Sequence, residues 1–368
     1  MKHSEETSRG PALRLLAALT VILAAVGPRP GAACTAFVMK NGGVVLLAKN
    51  LDRPVGEGYV FVNKRHVIKE AFGGAASPAL RWISKYGSVT FNQFGREFPL
   101  GGINEQGLVI EELNGPAGYP SSDGRPGLNE LQWIQYQLDN HSTVRDVLKS
   151  DARLRISKLL LDLHFLIADR SGKTAVVEFA GGRMVSYTGN DLPVRVLSND
   201  SYAESVRYLK MHRGFGGERK VSNGPESTER FVRAATILED FDWPMQGVLS
   251  DHAFTVLRSL EQADTQWSIV YNIQRRLVFF KTRAHRRLKI ISLDALDFSC
   301  ASPVLMLPVD TEAGWVLTGN FEPYDPQKNR LLLETVFRKL ENIGETPNIT
   351  VVDIVRRMSE YPGTCRCR

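Results

Sequence analysis

Residues 29–54, "RPGAACTAFVMKNGGVVLLAKNLDRP", decide how this chain begins to fold. Two apolar runs, "TAFVM" and "VVLLA", flank Asn41-Gly42, and an Asn-Gly pair between such runs is the strongest short hairpin signal. Runs that are apolar on both faces belong to a sheet covered on both sides. With Asn41-Gly42 as the turn, Lys40 pairs with Gly43 and Cys34 stands opposite Lys49, with Cβ atoms ~4.5–5.5 Å apart. Asp52 follows just beyond. A thiol, an ammonium and a carboxylate are thus expected at one strand end.

The residues before Cys34 have a different character. Lys2, Arg9 and Arg14 precede "LLAALTVILAAVG", and "GAA" stands directly before the cysteine. A basic start, a short apolar middle and small residues at a cut are the pattern of a secretory signal. The apolar run is shorter than the ~20 residues that cross a bilayer. Residues 1–33 are therefore expected to be a signal peptide and residues 34–368 the mature domain, in a periplasmic or secreted protein without stable membrane insertion. An uncleaved amphipathic or buried segment is the alternative. Losing the leader's four positive and two negative charges takes the formal net charge from +6 to +4.

Composition excludes several classes. At 43% hydrophobic and 23% charged the chain is an ordinary globular one. Its basic residues are mixed with acids and form no stripe, which argues against nucleic acid as a partner. The cysteines are Cys34, Cys300, Cys365 and Cys367, and either C-terminal thiol is a candidate partner for Cys300. There is no Cys-x-x-Cys and no His-Glu-x-x-His, and the histidines are scattered, so zinc-type chemistry has no support.

Further along, strands are expected at 34–40, 44–50 and 58–63, with a turn at Asn104–Gly107. A helix is expected over "LNELQWIQYQLDN", with Ser142 as the N-cap of the next one, "TVRDVLKS". A hairpin should turn at Arg170–Lys173. Helices are expected at 201–210, 228–241 and 246–261, and two or three strands follow in "QWSIVYNIQRRLVFFKTRAHRRLKIISL". Two helices near 329–342 and 350–359 close the chain. The basic run "KTRAHRRLK" reads as solvated and "RGFGGERK" as a surface loop. Strands and helices come in blocks, which points to α+β architecture with antiparallel sheets.

If export trimming makes Cys34 the first residue, its thiol (pKa ~8.5) and its new α-amine (~7.7–8.0) are already close at neutral pH. The amine can then take the proton from its own side chain, as in the N-terminal threonine hydrolases. Lys49 should favour the thiolate by charge, and Asp52 should orient the amine.

Cys34-Thr35-Ala36-Phe37, Lys49-Asn50-Leu51-Asp52 and "GGINEQGLVIEELN" follow one another in an order that resembles the choloylglycine hydrolase and penicillin V acylase family. "LHFLIADRSGKTAVVEF", "VLSND", "ERFVRAA" and "QWSIVYNIQRRLVFF" extend the resemblance from residue 34 to about residue 320. These are N-terminal-nucleophile hydrolases that cut linear amide C–N bonds. The resemblance implies a four-layer αββα sandwich with two mainly antiparallel sheets. It implies Cys34 as nucleophile, Asp52 as its carboxylate, and an oxyanion site made by the backbone N–H of Asn114 and the side-chain amide of Asn199. Arg230 matches the family's arginine beside the nucleophile. Lys49 replaces the usual arginine, keeping the charge and losing the planar fork, and Arg53 stands where an aromatic often follows the aspartate.

By the same resemblance no metal or organic cofactor is needed, and the partner is a small-molecule N-acyl amide. Bile-salt, penicillin V and acyl-homoserine-lactone or fatty-amide types are all open, with specificity in the loops after Asp52 and Asn114. A homo-oligomer, a tetramer, is implied as well. Other readings of Cys34 stand beside this one. It would be the anchor of a lipoprotein, although Gly31 occupies the place where a leucine is usual. It would pair with Cys300 or a C-terminal cysteine in a non-catalytic exported protein, or belong to a family member that keeps the fold without activity.

Overall fold

The two apolar runs pair as an antiparallel hairpin, Thr35–Asn41 with Val44–Asp52. The turn is Gly42-Gly43, one residue later than expected: Asn41 pairs with Val44, Ala36 with Lys49 and Thr35 with Asn50. Both glycines have positive φ, 53° and 84°. A two-residue turn matching the strand twist needs φ > 0 at both central positions, which Gly-Gly supplies with less strain than Asn-Gly. Cys34 is therefore not opposite Lys49. It lies diagonally from it, two residues before Ala36 and on the same face, because the slip moves the pairing by two and side chains alternate with period two.

The computed structural model describes residues 34–73, 80–239, 249–344 and 350–368. The expected signal peptide lies outside them. The hairpin supplies the second and third strands of a seven-stranded sheet whose spatial order is Val196–Leu197, Thr35–Asn41, Val44–Asp52, Thr265–Asn272, Leu277–Thr282, Lys289–Ser292 and Trp315–Val316. All its pairings are antiparallel except the last. A nine-stranded antiparallel sheet faces it, ordered Arg183–Thr188, Thr174–Ala180, Leu163–Ala168, Val109–Asn114, Gly101–Asn104, Ser88–Asn92, Tyr59–Asn63, Leu305–Pro308 and Glu322–Pro323. Thr35–Asn41 touches both Val109–Asn114 and Leu163–Ala168 across the interface.

Aromatic side chains fill the space between the sheets. Phe91 of the larger sheet lies against Trp267, Tyr271 and Phe280 of the smaller, with ring centroids 6.2, 6.4 and 5.2 Å away. These edge-to-face and tilted contacts suit the ring quadrupole and bury large apolar areas. Helices Ser227–Glu239 and Leu249–Ser259 pack on the other face of the smaller sheet, and Glu130–Asn140 packs on strands of the larger. The four layers of the sandwich follow.

Helix starts come from short polar side chains. Asn129 caps Glu130–Asn140, accepting from the N–H groups of Leu131 and Gln132. Thr143, not Ser142, caps Val144–Ser150, accepting from the N–H of Asp146 while Asp146 Oδ2 accepts the Thr143 hydroxyl at 2.6 Å. This reciprocal pairing requires an acid three residues on, which Thr143 has and Ser142 lacks. The Glu130 carboxylate binds the N–H groups of Leu159, Leu160 and Leu161 at 2.7, 2.7 and 2.8 Å, fixing that loop.

Cys300 forms a disulfide with Cys367, and Cys34 and Cys365 are free thiols. Cys34 therefore does not pair with Cys300 or with either C-terminal cysteine. The run "KTRAHRRLK" is solvated at Arg283, Arg286 and Arg287, as expected, but Lys289 is fully buried. Phe91 is the test of the inter-sheet core. Phe91→Ala is expected to lower the unfolding free energy by about 3–5 kcal/mol, read as a shift in urea midpoint at constant slope.

Candidate active site

Six residues are expected to work together: Cys34, Lys49, Asp52, Asn114, Asn199 and Arg230. They come from separate parts of the chain, and hydrogen bonds and ion pairs connect them. Cys34 precedes the first strand and is fully buried. Its sulfur sits 3.9 Å from the carbonyl oxygen of Asp52, at the end of the second strand. Arg230, one turn into the helix Ser227–Glu239, sends Nη1 to the carbonyl of Cys34 at 2.7 Å and to the hydroxyl of Thr35. Its Nη2 donates to Asn199 Oδ1 at 2.7 Å. Because guanidinium only donates, it turns the Asn199 amide so that Nδ2 points away, and Nδ2 donates to the carbonyl of Asn114 at 2.7 Å.

The alternation of strand residues explains which side each group serves. Asn50, neighbour of Lys49, faces the helices, donating to the Leu257 carbonyl at 2.8 Å and accepting from Ser268 at 2.7 Å. Lys49 therefore faces the opposing sheet. There its ammonium lies 3.0 Å from Glu111 and 3.1 Å from Glu112, all three side chains buried. Arg53 reaches Glu112 at 3.3 Å and donates to Asn114 Oδ1 at 2.9 Å. Two cations and two carboxylates thus balance. The Glu111 carboxylate also accepts from the Tyr271 hydroxyl and lies over Gly101, where a Cβ would collide with Oε2.

Lys49 acts on Cys34 in the expected direction, but burial outweighs it. Burial pushes the Cys34 thiol up to about 12; Lys49 and Arg53 pull it down, while Glu112 and Asp52 push it up. Lys49 alone does not make a thiolate, because burial of the sulfur, helped by the Glu112 charge, outweighs it. Burial also acts on Glu112, but Lys49 and Arg53 outweigh it and hold the carboxyl below its usual range. Asp52 is raised to about 7 by burial, against the Thr265 hydroxyl it accepts from and the Arg230 charge. Its Oδ2 is buried with no hydrogen-bond partner among the described residues. A buried carboxylate oxygen in that position is a ready acceptor for an added donor or cation.

Sequence reasoning missed Thr35, Thr265, Glu111, Glu112 and Tyr271 as parts of this network, and it placed Arg53 only as a departure from pattern. The signal for the two glutamates was present. Consecutive acids inside the apolar strand "LVIEELN" need buried cations, and Lys49 and Arg53 are the cations. Among the described residues, no group of three or more His, Cys, Asp or Glu could hold a metal, and no helix is long and apolar enough to cross a membrane.

The same residues fall within a match to known proteins. The sequence pattern of the family described as "Linear amide C-N hydrolases, choloylglycine hydrolase family" matches residues 34–306. A penicillin V acylase from Pectobacterium atrosepticum is 27% identical over 240 residues, which span 59% of this chain and 63% of that relative. The chain thus matches somewhat less than two thirds of that relative's length. The structure of a penicillin V acylase from Agrobacterium tumefaciens superposes with TM-score 0.69 and 26% identity, covering 80% of this chain and 98% of that one. A conjugated bile acid hydrolase from Clostridium perfringens shares the fold, with TM-score 0.62 at 16% identity, covering 77% of this chain and 98% of that one. With its motifs in order and its fold in agreement, the chain belongs to the choloylglycine hydrolase family of linear amide C–N hydrolases.

Proposed function

We propose that this protein is an exported cysteine amidohydrolase that cleaves the linear amide bond of an N-acyl substrate through a thioester on Cys34. The carrying observation is the Arg230 guanidinium, which holds the carbonyl of Cys34 and the amide of Asn199 at once. It joins a potential nucleophile to a potential oxyanion donor. Membership of a linear amide hydrolase family supports the reaction class. The Cys300–Cys367 disulfide supports an oxidising compartment, as does the signal pattern of residues 1–33.

In the full chain the nitrogen of Cys34 is an amide joined to Ala33 and has no basicity. Cleavage after Ala33 would convert it into an α-amine beside its own thiol. The buried thiol needs a proton acceptor within reach, since its surroundings oppose a standing thiolate. The amine would take that proton as sulfur attacks the substrate's carbonyl carbon. The negative oxygen that forms would be met by the Asn114 N–H and the Asn199 amide; a donor so placed is worth about 10²–10³ in rate. The C–N bond then breaks as the ammonium passes its proton to the leaving amine. Water, deprotonated by the same amine, opens the thioester, releasing the acid and restoring the thiol. Asp52 would hold the ammonium through its Oδ2.

The acyl group is proposed from the relatives, which include enzymes named for penicillin V and for conjugated bile acids. A product screen by mass spectrometry over penicillin V, conjugated bile salts and long-chain acyl amides assigns it. Wild-type protein is expected to begin at an unmodified Cys34, and Cys34→Ala to lose at least 10³-fold in kcat/KM on whichever amide is cut. Full activity in the alanine variant, or a lipid-blocked Cys34, would overturn the mechanism.

Asp52 gives a pH test that does not depend on turnover. In the full-length chain its folded pKa, about 7, lies above its unfolded value near ~3.9. The folded state then binds the extra proton between these values, so this group removes stability as pH rises from about 4 to about 7. In the uncleaved chain, Asp52→Asn is expected to flatten that loss, narrowing the gap in denaturation midpoint between pH 5 and pH 8. An unchanged gap would show that the carboxyl is ionised normally.

A further inference from the structure

We infer that a second cavity, apart from the Cys34 network, binds a small anionic amphiphile: one molecule with an acid group and a compact apolar body. The cavity, of about 640 Å³ and open to solvent on one side, is bordered by the helix Val144–Ser150, the turn at Gly172, the turn at Gly189 and the segment leading into Val196–Leu197. None of the six candidate site residues lines it. It meets the hairpin at Lys40, whose side chain lies over the lining residue Gly172, and at the Arg195 carbonyl, which accepts from the N–H of Val38 at 2.8 Å. Val38 lies four residues along the strand from Cys34, about 13 Å at ~3.3 Å per residue.

The lining has two parts of opposite character. Arg145, Lys149, Lys173 and Arg195 contribute four cations, and no acidic residue lines the cavity. All four are exposed and none makes an ion pair with a described residue; Arg183, Lys220 and Arg287 are exposed and unpaired as well, so what sets these four apart is that they line one cavity. Two acids close by in sequence are engaged, while Asp191, between the lining residues Gly189 and Leu192, is exposed and does not itself line the cavity. Asp146 is bonded to Thr143, and Asp169 accepts from the N–H groups of Val144, Ser171 and Lys173. The wall is apolar at Val144, Leu148 and Leu192.

Like charges gathered around a low-dielectric wall repel one another, and an anion placed among them relieves that cost. An inorganic anion would leave the apolar wall wet. A molecule with an acid at the rim and a hydrocarbon body on the wall satisfies both parts, and the volume is that of sites for drug-sized ligands. The lining offers no aromatic platform on which a nucleobase would stack. A concave site of this size admits one soluble molecule, which is the occupant proposed here in preference to a membrane surface.

The test uses the full chain carrying Cys34→Ala, so that hydrolysis plays no part, with monomeric decanoate as the probe in calorimetric titration. Saturable one-to-one binding is expected, weakened by salt and at least tenfold weaker for decanol. The double variant Arg145→Gln/Lys149→Gln is expected to lose at least tenfold in decanoate affinity. Both side chains are exposed, so the fold should survive, and an unchanged melting curve checks this. Absence of saturable binding would overturn the proposal, as would binding that the double variant leaves intact, because the acid would then sit elsewhere. Two further outcomes would also overturn it: binding only to phosphatidylglycerol vesicles, or a charge-sensitive increase in sedimenting mass that assigns the face to a second copy of the chain. None of these outcomes bears on whether Cys34 cuts amides.

Discussion

The ammonium of Lys49 held between Glu111 and Glu112 is the constraint on which the site's geometry rests. It joins the second strand of the smaller sheet to the strand Val109–Asn114 of the larger, deep in the interface where water does not screen it. Ions buried in this way persist only when paired and hydrogen-bonded, and losing one partner typically costs about 3–5 kcal/mol. The Tyr271 hydroxyl and Arg53 complete the arrangement. Gly101 makes room for it, since any side chain there would collide with Glu111. The relative placement of the two sheets is therefore tied to charge as well as to the aromatic packing around Phe91.

That constraint carries into the chemistry. Arg53 links Glu112 to Asn114, and Asn114 is linked through Asn199 to Arg230 and then to the backbone of Cys34. A shift in the buried ions would be felt at both proposed oxyanion donors. The thiol still depends on a local base, because burial outweighs the pull of Lys49 and Arg53 and keeps it protonated. This is why the proposed reaction assigns proton transfer to the α-amine that cleavage would release. The replacement of a family arginine by Lys49 takes on a structural meaning. A compact ammonium fits between two carboxylates, and the planar guanidinium is supplied one strand end later by Arg53.

Much of the fold was legible because local signals agreed. The strands, the Asn104–Gly107 turn, the capped helix after Asn129 and the hairpin after Ala168 each combine periodicity with the right turn or cap residues. Two local expectations failed where neighbouring residues competed. Gly42-Gly43 displaced Asn41-Gly42 because both central positions require positive φ, and Thr143 displaced Ser142 because only Thr143 has an acid three residues on. The face occupied by Lys49 was still correct, since a pairing change of two preserves it.

The order of motifs in the chain, and the amino-acid types at Cys34, Asp52, Asn114, Asn199 and Arg230, were set by the sequence alone. It also carried the unusual pair of acids in "LVIEELN". Only the tertiary structure decided that those acids meet Lys49 and that Arg230 bridges Cys34 to Asn199. It alone also decided that Cys300 pairs with Cys367 and that four cations from three separate segments share one cavity with an apolar wall. The reason is physical. Secondary structure responds to neighbours within a few residues, whereas burial, charge compensation and pKa depend on groups that only folding brings within a few ångströms.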